Sequence, residues 1–146
     1  MNKSTEINKK NLNALKKTAL KVLLVDDDDI TNVYNTQLLQ RVLPNAEIAT
    51  TEDPEEALHA LFKKADNIPD WVFVDLHMPS MSGWEFLMQF SAYASELYKT
   101  PKLFILSGSI DEADRQRALL WDVVVDIYAK PFSEETIEEI ILEQLD

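Results

Sequence analysis

The sequence predicts a doubly wound α/β domain, a parallel sheet with helices on both faces, and three observations carry that expectation. Short apolar runs rich in strand formers alternate five times with segments of helical periodicity. Successive parallel strands need a crossover, which is normally a right-handed helix, so helices cover both faces. The chain has 146 residues, 46% hydrophobic and 27% charged, which suits one domain that buries a full core.

Taken in order, Val22-Leu23-Leu24-Val25 is too short for a helix and reads as a buried strand. Ile30, Val33, Tyr34, Leu38 and Val42 recur at three- and four-residue steps, so the first helix is expected to bury that face and to stop before Pro44. Ala46 to Thr50 is the second strand. Asp53-Pro54-Glu55-Glu56 then supplies an N-cap, a proline at the first helical position and early acids for a helix running to about Lys64. After Pro69, Trp71 to Val74 forms the third strand and Trp84 to about Tyr98 the third helix. Leu103 to Leu106 follows Pro101 as the fourth strand, and Asp111 to Trp121 is the fourth helix. Val123 to Tyr128 is the fifth strand, and Ser133 to Leu145 the fifth helix, with Ile137, Ile140, Ile141 and Leu145 on one face. The tryptophans and phenylalanines are expected in the core or at interfaces, and His59 on the surface.

In open α/β sheets, ligands bind outside the carboxyl ends of the strands. There the sequence places Asp26-Asp27-Asp28-Asp29 after the first strand and Asp75 after the third, with Ser107-Gly108 after the fourth and Lys130-Pro131 after the fifth. Packing alone does not call for carboxylates, a hydroxyl and an ammonium at one rim. The chain's two glycines, Gly83 and Gly108, both fall in these loops, where a backbone turns sharply or approaches a ligand. A Lys-Pro bond can be cis, which would fix the ammonium's direction. Asp28 and Asp29 are expected to start the helix, with Asp29 as N-cap.

Carboxylates gathered at neutral pH repel unless a cation intervenes. Mg²⁺ suits such a rim, because it prefers oxygen ligands and is shared between one or two carboxylates and phosphate oxygens. With the charge screened, a further carboxylate can attack phosphorus in line while an ammonium and a hydroxyl receive the other phosphoryl oxygens.

Composition excludes other classes. Without cysteine there is no disulfide, thiolate nucleophile or cysteine-built metal site, which suits a reducing compartment. A net charge of −12 disfavours direct nucleic-acid binding, and no apolar run reaches the roughly 20 residues of a membrane span, so a cytoplasmic protein without membrane insertion is expected. Residues 1–20 stand apart as a basic arm, either disordered or a short helix on Leu12 and Leu15. Six lysines and one glutamate lie in residues 1–21, leaving about −17 for the rest.

These residues resemble the receiver domains of two-component response regulators, of the single-domain chemotaxis type, over residues 21–146. The stretches that carry the resemblance are Val-Leu-Leu-Val-Asp26-Asp27-Asp28, Phe73-Val74-Asp75-Leu76-His77-Met78-Pro79-Ser80-Met81-Ser82-Gly83, Leu106-Ser107-Gly108 and Lys130-Pro131-Phe132. The resemblance implies a flavodoxin-like sheet of order 2-1-3-4-5, with Asp75 as phosphoacceptor. It implies that Mg²⁺ is held by Asp26, Asp27, Asp75 and the backbone carbonyl of His77, and that Ser107 and Lys130 bind the phosphoryl group. The side chains of His77 and Ser109 would influence how long that group survives. The implied partners are a sensor histidine kinase or histidine phosphotransfer protein as donor and a downstream protein as receiver of the signal. The chain would be an acceptor that slowly loses its phosphoryl group, not a turnover enzyme. With no pattern beyond the fifth helix, the expected output is protein binding, phosphoryl relay or competition for a kinase.

Two departures stand out. Ile127 occupies the position where the family often has a switching Tyr or Phe, with Tyr128 one residue late, and the usual Gly-Ala pair before the fifth strand is replaced by Trp121-Asp122-Val123. Two rival readings are a haloacid-dehalogenase-type phosphatase, with Asp27 as nucleophile in Asp27-Asp28-Asp29-Ile30-Thr31, and a phosphorylation-independent binding module. The phosphatase leaves the Asp75-to-Gly83 stretch unexplained, and that family needs further metal-binding acids beyond its lysine-bearing segment and usually a cap domain, whereas a final helix is what is expected after Lys130.

Overall fold

The computed structural model describes residues 19–63, 68–97 and 99–144. Its five strands are β1 (Lys21–Val25), β2 (Glu47–Thr51), β3 (Trp71–Asp75), β4 (Lys102–Ser107) and β5 (Val124–Ala129). They form one all-parallel sheet in the order β2-β1-β3-β4-β5. The helices are α1 (Asp29–Val42), α2 (Pro54–Lys63), α3 (Gly83–Tyr93), α4 (Glu112–Leu119) and α5 (Glu134–Gln144), as the doubly wound reading expects.

Side chains alternate across a strand, so the sheet separates two cores. On one face Val72, Val74, Ile105 and Ile127 meet Leu58, Leu61, Phe86, Phe90 and Ala118 of α2, α3 and α4. On the other Leu24, Phe73, Phe104 and Tyr128 meet Leu39, Val42, Ile137 and Ile141 of α1 and α5. β3 is buried along its whole length, which explains its unbroken apolar run up to Asp75. Trp71 lies in the core, and the Arg117 guanidinium sits 4.2 Å from the ring centroid of half-buried Trp84.

α1 departs from its expected face. Leu38 and Val42 are buried, but Ile30, Val33 and Tyr34 are 75%, 57% and 48% exposed, while Asn32 and Asn35 turn inward. The cause is polar: the Asn32 side-chain amide donates to the Asp26 carbonyl at 2.9 Å and the Thr51 carbonyl at 3.4 Å, tying the first half of the helix to the strand ends. The cap also differs by one residue, since the Asp28 carboxylate, not that of Asp29, accepts from the Ile30 amide at 3.0 Å.

α3 ends at Tyr93, continues as one 3-10 turn (Ala94–Glu96) and becomes extended at Leu97, short of the expected end. Tyr98, Lys64 and Leu145, the other expected helix ends, and the arm up to residue 18 lie outside the described residues. No helix among the described residues is long and apolar enough to cross a membrane.

Candidate functional site

β1 delivers Asp26 and Asp27 to the carboxyl rim, and β3, hydrogen-bonded beside it, delivers Asp75. Asp26 and Asp75 are buried, Asp27 is exposed, and one carboxylate oxygen from each lies within 4.8 Å of the others. From the end of β5, through a cis Lys130–Pro131 bond, the Lys130 ammonium reaches both buried acids, 2.8 Å from Asp26 Oδ2 and 3.1 Å from Asp75 Oδ2.

Backbone amides hold the remaining carboxylate oxygens in place. The Asp28 N–H donates to Asp26 Oδ1 at 2.9 Å, and the His77 N–H to Asp75 Oδ1 at 3.2 Å. His77 is exposed, and it is its main-chain N–H that meets the Asp75 carboxylate. Gly83 locks the loop after β3: its N–H donates to the Leu76 carbonyl at 2.8 Å, and a Cβ would stand 2.7 Å from the Leu76 Cα. Gly108 meets no such constraint from the protein itself, because a Cβ there points into open space.

Ser107 is fully buried at the end of β4, but its hydroxyl is turned onto its own loop. It donates to the Ser109 carbonyl at 2.8 Å and accepts from the Ser109 amide at 3.2 Å, and no hydrogen bond joins it to Asp75 among the described residues. Its carbonyl accepts from the Lys130 N–H at 2.8 Å, which joins the ends of β4 and β5 at the rim. Asn32 escaped the sequence reading. Its signal was a polar residue beside an acid run, at a helical position six residues past Asp26.

Burial raises the Asp75 carboxyl above its ordinary range and the Asp26 charge adds to this, while Lys130 and the His77 amide act against it. Burial alone would lower the Lys130 ammonium; the hydrogen bonds to Asp26 and Asp75 outweigh this and raise it. Three carboxylates against one ammonium leave a net −2 at the cluster, offering only hard oxygen donors. That set fits a divalent cation such as Mg²⁺. The arrangement combines a buried carboxylate, a fixed cation beside it and a net negative charge that a divalent cation can offset.

On β5, Ile127 is buried in one core, while Tyr128 faces the other and donates to Glu143 Oε2 at 3.1 Å. Burial, followed by Glu143, raises the Tyr128 hydroxyl pKa. No aromatic ring stands at position 127 to rotate toward Ser107.

The family model of the response regulator receiver domain matches residues 22–142. A probable C4-dicarboxylate response regulator of Priestia megaterium is 28% identical over 127 residues, covering 87% of this chain and 52% of that protein. A sensory transduction protein of Bacillus anthracis, LytT, is 31% identical, covering 84% of this chain and 46% of that protein. The chain thus spans about half the length of these relatives. Among solved structures, a two component response regulator from Cytophaga hutchinsonii superposes with a TM-score of 0.78 at 27% identity, covering 88% of this chain and 98% of that one.

Proposed function

The chain belongs to the response regulator receiver domain family, and from that premise we propose that Asp75 is its phosphoacceptor, with residues 21–146 as the working domain and 1–20 as a separate basic arm. The observation that carries this reading is the placing of a buried Asp75 carboxylate 3.1 Å from the Lys130 ammonium, beside Asp26 and Asp27.

In this reading Asp26, Asp27, Asp75 and the His77 carbonyl would hold Mg²⁺, which when bound would screen the clustered negative charge. A carboxylate oxygen of Asp75 attacks phosphorus, the O–P bond forms, and the P–N bond to the donor's phosphohistidine breaks, returning the electron pair to the imidazole. Lys130 pairs with one phosphoryl oxygen. Ser107 leaves its Ser109 contacts to donate to another, and that movement reports the modification. Water later cleaves the acyl phosphate, so the protein is reset rather than turned over on a substrate.

The donor is a sensor histidine kinase or a histidine phosphotransfer protein in the cytoplasm, and the output is altered affinity for a protein partner. The Asp27-nucleophile reading is not favoured. Asp28 is the cap and Asp29 the first residue of α1, so the Asp27-Asp28-Asp29 run is used to start a helix.

The deciding experiment is incubation with a small phosphodonor and Mg²⁺ followed by intact mass. A gain of about 80 Da that is absent from Asp75→Asn is expected. An adduct that survives Asp75→Asn, or no adduct at all, would refute the assignment.

A further inference from the structure

We propose that Arg115 is a positioning residue for the acceptor site: its ion pair with Asp126 holds the start of α4, and through it the Ser107–Ser109 loop, in the arrangement of the unmodified protein. With Asp75 read as the phosphoacceptor, the pair is a restraint on activation of that site.

α4 is held unlike its neighbours. α3 buries Phe86, Leu87 and Phe90, and α5 buries Ile137, Ile140 and Ile141, whereas among the described residues of α4 Ala118 alone is buried and Leu119 is 49% exposed. A helix without an apolar face draws little stability from packing, so polar contacts must hold it. Near its start the Arg115 guanidinium meets Asp126 Oδ1 of β5 at 2.6 Å. Near its end the Arg117 guanidinium lies 4.2 Å from the Trp84 ring centroid.

Asp126 is the fixed side of the first contact. Its carboxylate also accepts from the Ile127 N–H at 2.7 Å, and β5 is joined to β4 by the pairing of Ser107 with Ala129 and by the Lys130 N–H on the Ser107 carbonyl. The α4 side is set by the loop before it. Both hydrogen bonds of the Ser107 hydroxyl go to Ser109, so turning that hydroxyl toward a phosphoryl group frees Ser109 from Ser107. Two residues after Ser109, the Asp111 carboxylate caps α4 by accepting from the Asp114 N–H at 2.8 Å, and the Asp111 carbonyl accepts from the Arg115 N–H at 3.2 Å. A displaced Ser109 therefore pulls on the turn that carries Arg115, and the pair with Asp126 opposes it. Side-chain exposures of 38% and 28% place the pair between surface and core, where it can hold a polar helix and still open.

The test compares Arg115→Gln, Asp126→Asn and the double variant with the parent, all as the full chain. Asp126→Asn removes the charge and keeps an oxygen for the Ile127 N–H. Two rates are read: amide exchange at Ser109 by NMR in unmodified, metal-free protein, and growth of the adduct of about 80 Da with a small phosphodonor and Mg²⁺. Each single variant should raise both rates about three- to fivefold, the contribution of one partly exposed ion pair, and the double variant should go no further than either. Arg115→Lys, which keeps the charge, should stay close to the parent. Lys99→Gln breaks the Lys99–Asp70 pair, of similar exposure at 41% and 27%, at the opposite end of the sheet, and should leave both rates unchanged. Rates untouched in Arg115→Gln and Asp126→Asn, additive gains in the double variant, or an equal gain in Lys99→Gln would overturn the proposal. Absence of any adduct in the parent would instead refute the Asp75 reading, and exchange at Ser109 would still decide whether Arg115 holds the loop.

Discussion

Replacing Lys130 by Met removes the only cation among the described residues that touches both buried acids, and its consequences can be worked out in sign and size. At 2.8 and 3.1 Å, each ion pair is worth about 5–6 kcal/mol of attraction at an effective dielectric of about 20. Desolvation of the three groups offsets much of that. Removing one partner from a buried pair typically costs about 3–5 kcal/mol, and the Lys130 side chain is 24% exposed, so we expect about 2–3 kcal/mol at pH 7 without metal.

The deficit should depend on pH. The folded-state pKa of Asp75 already lies above its ordinary 3.8, and loss of the ammonium raises it further. A group with a raised folded pKa contributes stability below its unfolded pKa and loses it as pH rises through the folded one. The deficit should therefore shrink as pH falls from 7 through the raised value toward 3.8. Removing the ammonium also takes the cluster from a net −2 to −3, so Mg²⁺ should bind more tightly to Lys130→Met and stabilise it more than the parent. Urea unfolding of both proteins at several pH values, in EDTA and in Mg²⁺, measures all three effects. A deficit that stays flat between pH 7 and 4, or greater Mg²⁺ protection of the parent, would refute this account of the site's electrostatics.

Further outcomes follow from the loops around the site. Gly83→Ala drives a methyl against the Leu76 backbone and should cost about 1–3 kcal/mol in chemical denaturation, whereas Gly108→Ala, facing open space, should stay within about 0.5 kcal/mol of the parent. Ser107→Ala removes both hydrogen bonds that close the Ser107–Ser109 loop. It should cost about 1 kcal/mol and slow formation of the phosphoryl adduct, read by timed intact mass. In metal-free protein, the Asp75 carboxyl carbon should titrate by NMR with a midpoint above 3.8; a midpoint at or below that value would show that Lys130 outweighs burial and Asp26.

The centre of the sheet was legible because β3 and nearly all of β4 are buried on both faces and leave unbroken apolar runs such as Trp71 to Val74, which lies between Asp70 and Asp75. The members of the acidic site were legible for a related reason: one parallel topology sends every strand end to the same rim. What could not be read was set by contacts distant in sequence. The face of α1 depended on Asn32 meeting the carbonyls of Asp26 and Thr51, so periodicity chose Ile30, Val33 and Tyr34 where a polar tie placed the asparagines. With four adjacent aspartates, composition could not decide which one caps the helix; backbone conformation selected Asp28, whose φ of −96° and ψ of 111° are extended. Both glycines lie in rim loops, but only at Gly83 would a Cβ clash with backbone, a contact that sequence position does not reveal.

The connectivity around Ser107 indicates where a signal would leave the site. The Ser107 hydroxyl is held by Ser109 and its carbonyl by the Lys130 amide, so withdrawing the hydroxyl toward a phosphoryl group acts on the loop before α4. The strand pairing of Ser107 with Ala129 joins that movement to the end of β5. Ile127 cannot carry it by ring rotation, and Tyr128 is tied on the opposite face to Glu143 of α5, so turning that ring would leave a buried hydroxyl unpaired. The route that breaks fewest bonds therefore runs through the Ser107–Ser109 loop into α4, whose Arg115 grips Asp126 of β5 at 2.6 Å and whose Arg117 covers Trp84 of α3. Displacing α4 changes both contacts together, which makes the surface around Arg115, Arg117 and Trp84 the part of the fold most directly coupled to Ser107.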